Sequence, residues 1–196
     1  MLWVTPLRAL ASDTRERITG PVAAVLPHWQ VAMRTGDATS RDKRLTDTGK
    51  AQLVVITPES LALLLSHERS REQFSQLRCI VVDEWHELLP SKRGVLLQLN
   101  LARIQALAPA AQVWGLSATI GNLAEASDVL LSAWQVKEPA LVQDMRPKPF
   151  HLHSITPQLG TRMPWAGHLG LANLGEVAKL VFSAPSTIVF TNTRAQ

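Results

Sequence analysis

An α/β fold built on a parallel sheet is what this sequence predicts, and three observations carry the prediction. Short apolar runs recur along the chain: LWV from Leu2, LVVI from Leu53, CIVV from Cys79, VWGL from Val113 and TIVF from Thr187. Between several of them lie helical patterns, namely LRALASDTRERI, ESLALLLS and GVLLQLNLARIQALA. Alternation of this kind is the pattern of βαβ units, with helices covering both faces of the sheet. Each run also ends in polar or turn residues, and in such sheets ligands gather at the carboxyl ends of the strands.

The totals agree with a globular chain. It has 196 residues, 46% hydrophobic and 18% charged, with a formal net charge of +4 that mildly favours an anionic partner. Cys79 is the single cysteine, which excludes an internal disulfide and a cysteine-based zinc site and fits a reducing cytoplasm. The stretch MLWVTPLRAL has no basic segment ahead of an apolar one, and no apolar run approaches the roughly 20 residues of a membrane span. A cytoplasmic protein without membrane contact is the expectation. His151, His153 and His168 have no acidic or cysteine partners at metal spacing and read as structural or surface residues. Trp29, Trp114 and Trp134 read as core.

The pattern divides the chain. Residues 1–136 hold the main alternation, and 137–164 dissolve into Pro-containing segments that read as a linker or crossover. Residues 165–196 hold one amphipathic helix, LANLGEVAKLVFSA, and one strand, STIVFTNTR, too little for a stable domain and thus the opening of a second one.

Two helices begin alike. VTPLRAL from Val4 and ITPESLAL from Ile56 each run from apolar strand through Thr-Pro into a helix. Proline suits the first helical position and the threonine before it can cap free N–H groups, so Thr5 and Thr57 are expected as N-caps. Capping alone explains the layout; two such helix starts on one sheet edge would also make a phosphate track. RTGDATSRDKR, from Arg34, reads as a solvated basic loop or as a further part of that track, with Thr35, Gly36 and Asp37 in its turn.

The most telling stretch is CIVVDEWHELLPSKRG, in which a buried strand runs into Asp83 and Glu84. One carboxylate at such a strand end can hold a hydrated Mg²⁺ while the next accepts a proton from an attacking water. IVVDEWHELL, followed by VWGLSATIGN, resembles the DExH box and Ser-Ala-Thr motif of superfamily 2 helicases. LWVTPLRALASD is similar to motif Ia, the RTGD turn to motif Ic, LVVITPESL to motif Ib and TIVFTNTRAQ to motif IV, in the family's order. DEWHELLPSKRG, SATIGN, PWAGHLG and FTNTRAQ most resemble the Lhr-like, ligase-associated bacterial DNA helicases.

The resemblance implies a RecA-like helicase domain followed by the start of a second. It implies ATP and Mg²⁺ as cofactors, Asp83 on the metal, Glu84 activating water, and His86 linking that site to Ser117 and Thr119. Thr5, Pro6 and Arg8, then Thr35, Gly36 and Asp37, then Thr57, Pro58 and Glu59 would line a strand-binding edge. Asn192, Thr193 and Arg194 would contact nucleic acid from the second unit. Single-stranded or partly duplex nucleic acid, DNA favoured, is the implied partner, with repair proteins such as a ligase beside it.

One departure is large. The sequence contains no G-x-x-x-x-G-K-[ST] pattern; Gly49-Lys50 is followed by Ala51 and has Arg44 where the first glycine should stand. In the family this phosphate loop precedes motif Ia, and motifs V and VI come after motif IV, so the expectation is a chain cut at both ends and inactive by itself, with a sheet edge exposed. Three other readings stay open: a noncatalytic nucleic-acid-binding module or partner-dependent subunit, a hydrolase whose metal is held directly by Asp83, Glu84 and His86, and a nonfunctional gene fragment.

Overall fold

The computed structural model describes residues 1–144, 146–147, 149–155 and 173–190. The chain separates into two units, Met1–Leu141 and Val142–Gln196. The first holds a five-stranded parallel sheet: β1 (Leu2–Val4), β2 (Val31–Arg34), β3 (Leu53–Ile56), β4 (Cys79–Val82) and β5 (Gln112–Gly115), in the order β2-β3-β1-β4-β5. Its helices are α1 (Arg8–Val25), α2 (Ser40–Asp47), α3 (Pro58–Ser66), α4 (Ser70–Phe74), α5 (Trp85–Leu88), α6 (Lys92–Leu107) and α7 (Leu123–Leu131). Among the described residues of the second unit, the one helix is α8 (Leu174–Ser183).

The sheet is covered on both faces, which is why its strands read as unbroken apolar runs. Val54 and Ile56 of β3, with Leu2, Val4, Ile80 and Val82, join a core completed by Leu61, Leu97, Leu101 and Ile104. Leu53 and Val55, the alternate residues of β3, face a second cluster with Ala11, and Trp3, Ile18 and Val22 pack against it. All four residues of β3 are therefore buried. β5 differs, with Gln112, Trp114 and Gly115 exposed.

Four of the five predicted strands are present. TIVF is not one: Thr187–Phe190 adopts no strand, because extended backbone becomes a strand only where another strand takes up its N–H and C=O groups. Trp114, expected in the core, is 57% exposed because α1, on that face of the sheet, packs over β2 and β3 while β5 is the opposite edge strand. Trp29 and Trp134 are partly buried against the two clusters. The basic stretch from Arg34 is a loop only in part, turning over residues 35–39. It gives β2 its last residue and then forms α2, whose N-cap Thr39 accepts the Asp42 N–H while its hydroxyl donates to the Asp42 carboxylate at 2.8 Å. That carboxylate is buried and ion-paired to Arg15 of α1 at 3.0 Å, so α2 is tied to α1 by its own cap.

The two Thr-Pro helices start differently. Pro58 is the first residue of α3 and Thr57 its N-cap position, as expected, but the Thr57 hydroxyl meets Ser60 Oγ at 3.2 Å and caps no backbone N–H. Thr5 is not a cap: α1 begins at Arg8 with Leu7 before it, and the Thr5 hydroxyl donates to the Leu7 carbonyl at 3.3 Å. The chain bends between Pro6 and Leu7 before the helix starts, so the threonine stands too far back to reach the free N–H groups.

Candidate nucleotide and nucleic-acid site

Register brings the predicted residues together. Ile56 lies beside both Val4 and Arg34, Val4 beside Val82, and Val82 beside Gly115. The next residue of each strand therefore falls in one row across the carboxyl edge of the sheet: Thr35, Thr57, Thr5, Asp83 and Leu116. The row is stitched by the Thr5 N–H donating to Ile56 O at 2.9 Å and by the Asp83 N–H donating to Val4 O at 2.8 Å.

At Asp83 the strand ends and the chain turns sharply. Glu84 has φ 47° and ψ 46°, the left-handed region, which costs a residue with a Cβ about 1–2 kcal/mol. Trp85 holds the turn. This variable residue of the box is 2% exposed and its indole donates to Ala126 O at 2.9 Å, while its N–H bonds Leu116 O at 3.0 Å. Packing at Trp85 thus fixes a backbone that a free chain would avoid, and it frees Asp83 and Glu84 from continuing to opposite faces of a strand.

Asp83 is half-buried. Its Oδ1 accepts the Glu84 N–H at 3.0 Å and its Oδ2 accepts the Trp3 indole N–H at 3.1 Å. Each oxygen keeps a lone pair, so the carboxylate suits a hydrated Mg²⁺, which typically takes one or two carboxylates and fills its remaining sites with water and phosphate. Among the described residues no group of three or more His, Cys, Asp or Glu side chains is placed to hold a metal directly. His86 lies between Glu84 and Glu87, each at 3.5 Å, and its Nδ1 meets Ser117 Oγ at 2.8 Å. Ser117 Oγ in turn reaches Thr119 O at 3.4 Å. The DExH segment and the Ser-Ala-Thr segment are therefore in contact, beside a cleft of about 420 Å³ lined by His86, Thr119, Gly121 and Asn122.

The residues of the strand edge divide into buried and exposed groups. The Thr5, Thr35 and Thr57 side chains are buried, at 0, 4 and 3% exposure, and Pro6 and Pro58 are buried with them, so these side chains shape the edge without facing solvent. Adjacent strand ends pack against one another, which leaves the first helix residues and the turn after β2 as the outward groups. Arg8, Gly36, Asp37 and Glu59 are exposed. Arg8 pairs with Asp37 at 3.3 Å and its guanidinium lies over Gly36, where an added Cβ would come within 3.0 Å of Nη2. Asn192, Thr193 and Arg194 lie outside the described residues.

Glu59 has a partner on another helix. Arg93, in the first turn of α6, holds the Glu59 carboxylate with both Nε and Nη2, the latter at 2.9 Å. The bidentate bond holds the Glu59 carboxyl below its ordinary value and raises the guanidinium. Asn100, further along the inner face of α6, donates to Pro58 O at 2.9 Å. α6 thereby grips the first turn of α3 twice. Its own start is tight: Ser91 caps Gly94 N–H at 3.2 Å, and a Cβ on Gly94 would fall 2.1 Å from Leu88 O. Sequence reasoning passed over Asn100 and Trp3; a polar residue among Leu97, Leu101 and Ile104 was the available signal for the first, and none marked the second.

Residues 1–126 match the DEAD/DEAH box helicase family. The chain belongs to that family. It is 31% identical, over its full length, to the ATP-dependent helicase Lhr-Core protein 2 of Thermococcus barophilus, covering 24% of that protein. The structure of Mycobacterium smegmatis helicase Lhr bound to ssDNA and AMP-PNP aligns with 99% of this chain and 26% of that one, at 29% identity and a TM-score of 0.76. The DEAD-box helicase Mss116 bound to ssRNA and UDP-BeF shares the fold, with a TM-score of 0.58 at 18% identity, 68% of this chain and 27% of that chain being covered. The sheet of this DEAD/DEAH box chain is thus a RecA-like helicase domain of the Lhr kind, and the chain spans about a quarter of the length of the Lhr relatives it matches.

Proposed function

We propose that this chain is part of an ATP-dependent DNA helicase or translocase that acts in DNA repair in the cytoplasm, with a DNA ligase as a neighbour in the pathway. The observation that carries the reading is the contact between His86 and Ser117, which joins the acidic pair at the end of β4 to the segment after β5. In this reading Asp83 holds Mg²⁺, which when bound offsets phosphate charge. Glu84 accepts the proton of the attacking water, from a backbone already turned toward the crevice. His86 and Ser117 then relate the state of Glu84 to Thr119 and the cleft beside it. Nucleic acid runs along the β2-β3-β1 edge, where Arg8 faces its phosphates. Residues 165–196 open a second RecA-like unit, joined through residues 137–164, and Asn192, Thr193 and Arg194 contact the strand from there.

The fit to ATP is incomplete in this chain. The acids suit hydrolysis, but no Gly-rich loop of the G-x-x-x-x-G-K-[ST] kind supplies the N–H groups and lysine that cradle the phosphates. The 196 residues alone are therefore proposed to bind strands without turnover, which also favours a second reading, a noncatalytic nucleic-acid-binding module. Fluorescence anisotropy with a single-stranded DNA of about 12 nucleotides tests the strand edge. The expected result is salt-dependent binding, with Arg8→Ala lowering the slope of log K against log salt by about 0.7, one phosphate contact. No binding at low salt, or an unchanged slope in Arg8→Ala, would contradict the assignment of the edge.

A further inference from the structure

We propose that Trp3 is a positioning residue for the Asp83 carboxylate. The inference deepens the reading of Asp83 as the metal-holding acid and rests on it. Trp3 belongs to β1, and the parallel register sets it beside Val81 of β4, so that Asp83, two residues on, projects from the same face of the sheet. There the indole Nε1–H donates to Asp83 Oδ2 at 3.1 Å, while the rest of the ring packs against the cluster of Ala11, Leu53 and Val55. An indole nitrogen is a donor only, with no acceptor to compete for a cation and no charge to repel one. It fixes one of the four lone pairs of the carboxylate, as the Glu84 N–H fixes another on Oδ1, and the two bonds from opposite oxygens set the plane of the group. Its apolar body, partly buried against residues of α1 and β3, restrains the ring. Partners of this kind around a metal ligand set its orientation, and their loss typically weakens metal affinity tenfold or more.

The test is NMR of the labelled 196-residue chain with Mn²⁺ as the probe, a readout independent of turnover. In the wild type, low Mn²⁺ should broaden the Glu84 amide and the Trp3 indole resonance before the other five indoles. Trp3→Phe keeps the ring and removes the donor. It is expected to need about tenfold more Mn²⁺ to broaden the Glu84 amide to the same extent, with the rest of the spectrum unchanged. Asp83→Ala leaves Trp3 in place, and the indole resonance should move upfield as its acceptor is lost. If Trp3→Phe broadens at the same Mn²⁺ concentration, or the indole resonance stays put in Asp83→Ala, the positioning role is overturned while the metal assignment of Asp83 stands. If the wild type shows no Mn²⁺ broadening at Glu84, the metal assignment fails and the positioning role falls with it.

Discussion

The two flanks of the sheet are built differently. On the β2-β3-β1 flank every residue of β3 is buried, the strand ends are packed shoulder to shoulder, and α6 grips α3 through Arg93–Glu59 and Asn100–Pro58. On the β5 flank three of four strand residues are exposed, and the Ser-Ala-Thr segment is tied to the DExH segment by one side-chain bond, His86 to Ser117, beside the backbone bond from Trp85 N–H to Leu116 O. In the proposed reading the difference separates two tasks. A surface that holds a nucleic-acid backbone needs fixed spacing, and multiple internal bonds give that. A segment that reports the state of a nucleotide must move, and a contact resting on one side-chain bond and one backbone bond is what can be made and broken.

Core substitutions should separate the two flanks most visibly. Ile56→Ala, on the buried flank at 0% exposure, is expected to destabilise by about 3 kcal/mol, whereas Trp114→Lys on β5 should change stability by less than about 1 kcal/mol and raise solubility by placing a charge on the exposed edge. Urea unfolding of the pair measures this, and equal losses would mean that β5 is covered in solution.

The clamp should show a smaller effect with a definite pH dependence. Arg93 depresses the Glu59 carboxyl, so the pair stabilises the fold above the ordinary value of 4.5, and that stability is lost as pH falls through the lower folded value. Both side chains are partly exposed, which limits the contribution to about 0.5–1 kcal/mol. Glu59→Gln should lose this amount at pH 7 and converge with the wild type in acid. A difference that persists at low pH would mean the pair does not act through charge.

Much of the fold was legible in the sequence, for physical reasons that differ along the chain. β1, β3, β4 and β5 announced themselves as apolar runs, and the acids at the end of β4 stood out only through the motifs around them, since a charged strand end alone is common. α2 was hidden because SRDKRLTD turns few apolar residues inward and leaves only a cap, Thr39 with Asp42, as its signal. The burial of Thr5, Thr35 and Thr57 was hidden because it comes from register between strands far apart in sequence, which no local pattern encodes. The same holds for Trp3 and Asp83, 80 residues apart and one hydrogen bond from each other.

In the proposed reading this chain carries the water-activating acid and a strand-binding edge but not the phosphate cradle. Mg²⁺-dependent ATP hydrolysis by the 196-residue protein, with and without single-stranded DNA and beside Glu84→Gln, tests that division of parts. The expected result is no turnover above the Glu84→Gln background under either condition. Turnover that single-stranded DNA stimulates and Glu84→Gln abolishes would contradict it, since the phosphates would then be held by residues of this chain outside the G-x-x-x-x-G-K-[ST] pattern.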